Sequence, residues 1–196
     1  MKQDLPLLVV VTGSPASGKS TLAEKLSESM RLPLLAKDAF KEEIYDNLEG
    51  AAPADSHRLG FVAVRLMHSW SKRLLEKGVS LVLESNFKRS LSLPDLESLF
   101  ALSQPVVVQC VAPRDEVVDR YVERSEEGER HPVHDDANHV DELRHDLEKG
   151  EYDMRFLDVP VITVDTSIEG GVDIEALIHR IRSTREARSA GSSIRR

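Results

Sequence analysis

Eight residues near the amino terminus, Gly13-Ser14-Pro15-Ala16-Ser17-Gly18-Lys19-Ser20, match the pattern G-x-x-x-x-G-K-[ST] in full. The chemistry of that spacing is phosphate binding. Backbone N–H groups of the loop converge on an anion, and the following helix N-terminus adds partial positive charge. Gly13 and Gly18 let the backbone approach a phosphate closely. Lys19 would reach the β- and γ-phosphates of ATP, and the Ser20 hydroxyl would hold Mg²⁺. Thr21 follows at the helix start and completes the nucleotide-binding candidates Gly13 to Thr21. A Gly-rich turn that binds nothing is the alternative, and the context argues against it. The motif lies between a β-branched apolar run, Leu7 to Val11, and a helical stretch, Thr21 to Leu26, as a working loop of this kind requires.

Further along, carboxylates and cations stand where strands are expected to end. Asp38, in LLAKDAFKE, is the candidate base that positions an acceptor hydroxyl, its alternative being a helix N-cap. Lys41, three residues on, is a candidate substrate contact or a solvated lysine. Glu84, in SLVLESNF, could serve Mg²⁺ or the acceptor, and Ser85 and Asn86 could line the acceptor pocket; a loop cap is the alternative. Arg120, Arg124 and Arg130 lie in RYVERSEEGERHPVH. An Arg-bearing segment over the phosphates is what a kinase lid requires, because it neutralises developing charge and excludes water. Their alternative is surface pairing with Glu123, Glu126, Glu127 and Glu129. His131, His134, His139 and His145 with Asp135 and Asp136 are metal-ligand types. No cysteine stands near them and a phosphate-handling segment accounts for the run, so no dedicated metal site is expected. His131 or His134 touching substrate or phosphate is the remaining reading.

The elements that must position these residues alternate. Strands are expected at 7–12, 32–36, 80–84, 106–111 and 160–164. Helices are expected at 19–30, 39–48, 56–77, 93–102 (opened by Pro94), 113–124, 140–149 and 172–182. Leu59, Met67 and Trp70 recur at helical spacing and read as core. Alternation of strand and helix predicts an α/β protein: a five-stranded parallel sheet between two helical layers, with the functional residues beyond the strands' carboxyl ends. The expected domain covers 1–184 with a lid at about 121–149, and 185–196 is expected to be a disordered tail. The chain has 196 residues, a net charge of −8 and one cysteine, Cys110, which reads as a buried inert thiol. No run approaches the ~20 apolar residues of a membrane span, and MKQDLPLLVVV does not read as a secretion signal. A cytoplasmic protein is expected. The acidic balance weakens nucleic acid as a partner.

Together, GSPASGKST, AKDAFKE, LVLESNF and RYVERSEEGERHPVH resemble the small P-loop kinases. More narrowly they resemble the predicted AAA-type ATP-dependent kinases related to chloramphenicol phosphotransferase and to the kinase domain of polynucleotide kinase, over about 7–166. The resemblance implies ATP and Mg²⁺, Asp38 as base, and a lid arginine on the transferred phosphate: Arg124, with Arg120 and Arg130 beside it. It places Thr166, in the loop after the last strand, near the adenine. Polynucleotide kinases carry arginine where this chain has Lys41, and many relatives carry Asp where it has Glu84. The expected activity is transfer of the γ-phosphate of ATP to a hydroxyl of a small molecule. The alternatives are a kinase of nucleic-acid ends or nucleotide sugars, and an ATPase switch without a small acceptor.

Overall fold

The computed structural model describes residues 5–126, 130–168 and 170–192. In chain order it contains β1 (Leu7–Thr12), α1 (Lys19–Met30), β2 (Leu34–Ala36), α2 (Lys37–Asn47), α3 (Ser56–Glu76), β3 (Leu81–Glu84), α4 (Arg89–Phe100), β4 (Gln104–Val111), α5 (Arg114–Glu126), α6 (Val140–Lys149), β5 (Val161–Asp165) and α7 (Ile174–Ser192). The strands form one sheet in the order β2-β3-β1-β4-β5, every pair parallel. Each strand therefore needs a crossover, and helices 1 to 7 supply the crossovers or cover the faces.

All six residues of β1 are buried. Successive side chains point to opposite faces, so a strand apolar throughout must be covered on both. Leu7, Val9 and Val11 pack with Leu22, Ala23 and Leu26 of α1 and Leu177, Ile178 and Ile181 of α7. Leu8 and Val10 pack with Met67 and Leu75 of α3 and Leu96 and Leu99 of α4. The sheet is thus the middle of three layers, as expected. A third, smaller core joins α5 to α6 through Val117, Tyr121, Leu143 and Tyr152. It gives the expected lid region apolar packing of its own.

Several boundaries differ from the sequence reading. β2 begins at Leu34, and α2 starts directly at Lys37 with Ala36 as its N-cap. α4 begins at Arg89, so Pro94 lies inside the helix rather than at its opening. The carbonyl and carboxylate of Glu151 accept from the N–H groups of Arg89 and Ser90 at 2.7 and 3.0 Å. That distant partner supports the helix start, which sequence proximity cannot reveal. Within the span expected as a lid, Pro132–His134 and Asp136–His139 form 3-10 turns. α7 continues to Ser192, through most of the expected tail; residues 193–196 lie outside those described. Trp70 is not core: it is 50 % exposed, whereas Leu59 and Met67 are buried. No helix among the described residues is long and apolar enough to cross a membrane.

Candidate active site

The loop between β1 and α1 is built from backbone conformation. Gly18 (φ 76°) and Ala16 (φ 60°) sit in the left-handed region, where a non-glycine residue stores strain. At Gly13 a Cβ would lie 2.5 Å from Ser17 Oγ and 2.8 Å from the Cys110 carbonyl oxygen, so only glycine fits. The N–H of Ser17 donates to the Ser14 carbonyl at 3.2 Å and closes the turn. The hydroxyls of Thr12 and Ser17 are buried without a hydrogen-bond partner. Unspent donors beside a helix N-terminus suit an anion. Thr166 does not reach the cavity described below. Its hydroxyl lies 2.6 Å from the Ser17 carbonyl and 3.0 Å from that of Val111, so it ties the β5–α7 turn to the loop.

At the carboxyl ends of β1, β2 and β3 lies a cavity of about 810 Å³. It brings together Pro15, Lys19, Ser20, Asp38, Lys41, Glu84, Asn86, Arg124 and Arg130 from the sequence-derived set. Gly13, Ser14, Ala16, Ser17, Gly18 and Thr21 belong to the loop but do not line it. Arg120 is also outside. It pairs with Glu116 and donates to the carbonyls of Thr166 (3.1 Å) and Ser167 (2.6 Å). Its donors are spent on holding the β5–α7 turn.

Asp38 lies in the first turn of α2 and is not the cap. Burial pushes its carboxyl pKa up, but Lys37, His134, Lys19 and Arg130 outweigh this and hold it well below the usual range. The geometry agrees: Arg130 is 2.7 Å from Asp38 Oδ2, Lys37 3.7 Å from Oδ1, and His134 Nδ1 4.0 Å away. The positive end of α2 adds to this. Asp38 therefore stays anionic. Glu84, at the end of β3, behaves oppositely. Burial raises its pKa, opposed by Lys19, whose Nζ is 3.8 Å from Oε1. Ser20 and Glu84 offer a hydroxyl and a carboxylate to one cavity, the hard oxygen donors Mg²⁺ takes beside water and phosphate.

Arg124 reaches the cavity from α5. Its NH2 pairs with Asp136 Oδ2 at 2.9 Å, while its buried Nε has no hydrogen-bond partner among the described residues. Burial and the neighbouring Arg130 lower its pKa. Asp136 also pairs with Arg130 and accepts from the Tyr121 hydroxyl at 3.1 Å. One carboxylate thus gathers Arg124 and Arg130. Among the described residues Arg124 pairs with Asp136, and Arg130 with Asp136 and Asp38; of the expected surface partners, Glu127 and Glu129 lie outside the described residues.

Lys41 is buried, and its Nζ donates to Ser56 Oγ at 2.7 Å. Burial, then Lys37, lowers its pKa to about 8. Asn86 accepts from Lys37 at 3.3 Å. Of the histidines, His131 meets Asp46 and stacks edge-on to His134, His134 meets Glu42 at 2.6 Å, and His139 meets His57. Sequence reasoning passed over Lys37 and the part of Asp136 in pairing lid arginines. Lys37 sits beside Asp38 at a strand end, a signal that was available. The role of Asp136 depends on contacts no spacing encodes. Cys110 is buried, and burial pushes its thiol up to about 12, as expected of an inert one.

A family model described as an AAA domain matches residues 8–149. A candidate kinase from Chloroflexus aurantiacus is 34% identical, with TM-score 0.80 over 92% of this chain and 99% of its own. A gluconokinase from Sinorhizobium meliloti is 21% identical, with TM-score 0.54 over 97% of both chains. A shikimate kinase from Acinetobacter baumannii in complex with shikimate is 19% identical, with TM-score 0.54 over 91% of this chain and 94% of its own. The last two likenesses show the fold alone. No curated protein matches the sequence. The fold is that of the P-loop kinases.

Proposed function

The chain belongs to that AAA-domain family of P-loop kinase-like proteins, and on that premise we propose that it transfers the γ-phosphate of ATP to a hydroxyl of a small-molecule acceptor. The observation that carries the reading is one shared cavity. Lys19 and Ser20 of the phosphate loop, the persistently anionic Asp38, and Arg124, paired with Asp136, all open onto it.

In this reading the acceptor hydroxyl hydrogen-bonds to Asp38, which orients its oxygen toward the γ-phosphorus. The oxygen–phosphorus bond forms as the bond to the β-phosphate bridging oxygen breaks, giving ADP and the phosphorylated acceptor. The hydroxyl proton passes to Asp38 late, because a carboxylate held by Lys37, Lys19 and Arg130 is a weak base but a constant acceptor. Lys19 and Arg124 stabilise charge on the transferred group. Ser20 and Glu84 are the residues that would hold Mg²⁺, which would supply charge neutralisation on the phosphates. Arg130 pairs with Asp38, so acceptor binding must share or displace that contact.

The test is acceptor-dependent ADP release, with a panel of hydroxy acids, sugars, amino alcohols and a 5′-hydroxyl oligonucleotide. Asp38→Asn keeps the shape and removes the charge. It is expected to lower kcat by ~10²–10⁴-fold while ATP still raises the melting temperature. Parental turnover in Asp38→Asn would sink the base assignment. ATP hydrolysis indifferent to every acceptor would favour a switch.

A further inference from the structure

We propose that His57, His139 and Glu142 form a binding site for a zinc-class divalent cation at the rim of the cavity, clipping the start of α3 to the segment 130–149. His57 is 82 positions from His139, which stands three before Glu142, and the three come from different elements: the first turn of α3, the end of a 3-10 turn, and the first turn of α6. One ligand atom from each can be chosen so that all lie within 4.8 Å of one another. The inference is independent of the kinase reading.

The hydrogen bonds fix which atoms are free. His139 Nδ1 lies 2.7 Å from the carbonyl oxygen of Asp135. A carbonyl only accepts, so Nδ1 carries the proton, and Nε2 of neutral His139 presents a bare lone pair. That lone pair faces His57 Nε2 at 2.7 Å. Glu142 Oε2 faces the same His57 nitrogen at 3.6 Å. A single proton on His57 can be directed well at one of these two acceptors, not both. A tetrahedral cation among the three satisfies all of them.

The surroundings are those of a ligand set. A metal-bound histidine ordinarily donates its other N–H to a carbonyl or carboxylate, as His139 does here. The second oxygen of Glu142 is held by Lys88 Nζ at 2.7 Å, which orients the carboxylate and leaves Oε2 toward the histidines. Zn–N bonds of ~2.0–2.1 Å require the nitrogens to part by well under an ångström from their present spacing. The His57 side chain is 73% exposed and free to adjust. Two imidazoles and one carboxylate suit Zn²⁺, Co²⁺ or Ni²⁺ and are a poor set for Mg²⁺, which prefers oxygen alone. The three residues border the cavity, so the fourth coordination position is open to water or to a donor on a bound molecule.

The test uses the untagged full chain, freed of metal and without nucleotide, titrated with Zn²⁺ against a chromophoric chelator. The expected result is one Zn²⁺ per chain. His57→Ala and His139→Ala should each weaken binding by ~100-fold, and Glu142→Gln by ~10-fold, on the scale known for altered metal-site residues. Zn²⁺ should raise the melting temperature of the parent but not of His57→Ala, a surface change that leaves the core intact. His179→Ala, on exposed α7, should bind as the parent does. Absence of a one-to-one complex at micromolar Zn²⁺ overturns the proposal. So does affinity retained in both His57→Ala and His139→Ala, or lost equally in His179→Ala.

Discussion

The phosphate loop and the opposite wall of the cavity are built in different ways. The loop, Gly13 to Ser20, is one continuous run whose shape is set by backbone conformation and by a Cβ that position 13 has no room for. The opposite wall is assembled from α2, the end of β3, α5 and the segment after it. Its charges are held by one another, as in the Arg130–Asp38 pair across 92 positions of sequence. Backbone cradles recognise any nucleotide phosphate. Side chains gathered from distant elements can be exchanged one at a time, so under the proposed function acceptor choice would belong to that wall.

The sharpest way to break this contrast is Lys19→Ala. It should lower turnover by ~10³-fold or more, with every acceptor affected alike, because the loop serves the common step. Acceptor phosphorylation assays with a thermal melt as a fold control check it; a loss confined to one acceptor would erase the division. Next is Arg124→Ala, expected to cost ~2–4 kcal/mol of transition-state stabilisation, seen in kcat more than in ATP affinity. An effect on the KM for ATP alone would move Arg124 to the nucleotide side.

Lys41 tests whether the wall's burial is felt as stability. Its pKa is about 8 when folded against 10.5 for an ordinary lysine. Between these values the unfolded chain binds the extra proton, so stability rises with pH across that window, by up to about 3 kcal/mol. Below about pH 8 the charged, buried lysine is a cost in full. Chemical denaturation from pH 7 to 10.5 should show a more positive slope of stability against pH in the parent than in Lys41→Met, the opposing contribution of Cys110 being common to both. Equal slopes would mean that Lys41 is not desolvated. Gly13→Ala should destabilise by ~1–3 kcal/mol through the contacts with Ser17 and Cys110. An unchanged melting temperature would show that the loop yields more easily than its packing implies.

Local signals were read well. The limits of β1, α1 and α6 agree with those expected from sequence, because each joins an apolar pattern to a nearby start or stop such as Gly18 or Gly150. Patterns that need a partner elsewhere were read less well. In α3, Leu59, Ala63 and Met67 form one stripe and Val62, Leu66 and Trp70 the next. Helical periodicity alone does not say which stripe meets the sheet. The first is buried and the second exposed, with Arg73 over the Trp70 ring at 5.7 Å.

The sequence by itself therefore determined the α/β alternation, the phosphate loop, and the placing of Asp38 and Glu84 at strand ends. Each of these is encoded within a few consecutive residues, where chain connectivity imposes the geometry. Only the tertiary structure decided that Arg120 is spent on the β5–α7 turn while Arg124 pairs with Asp136 at the cavity. It alone decided that Asp136 gathers Arg124 and Arg130, that Lys41 turns to Ser56, and that His57 meets His139 and Glu142. A charged side chain settles on whichever opposite charge packing brings within reach, and that depends on the whole fold.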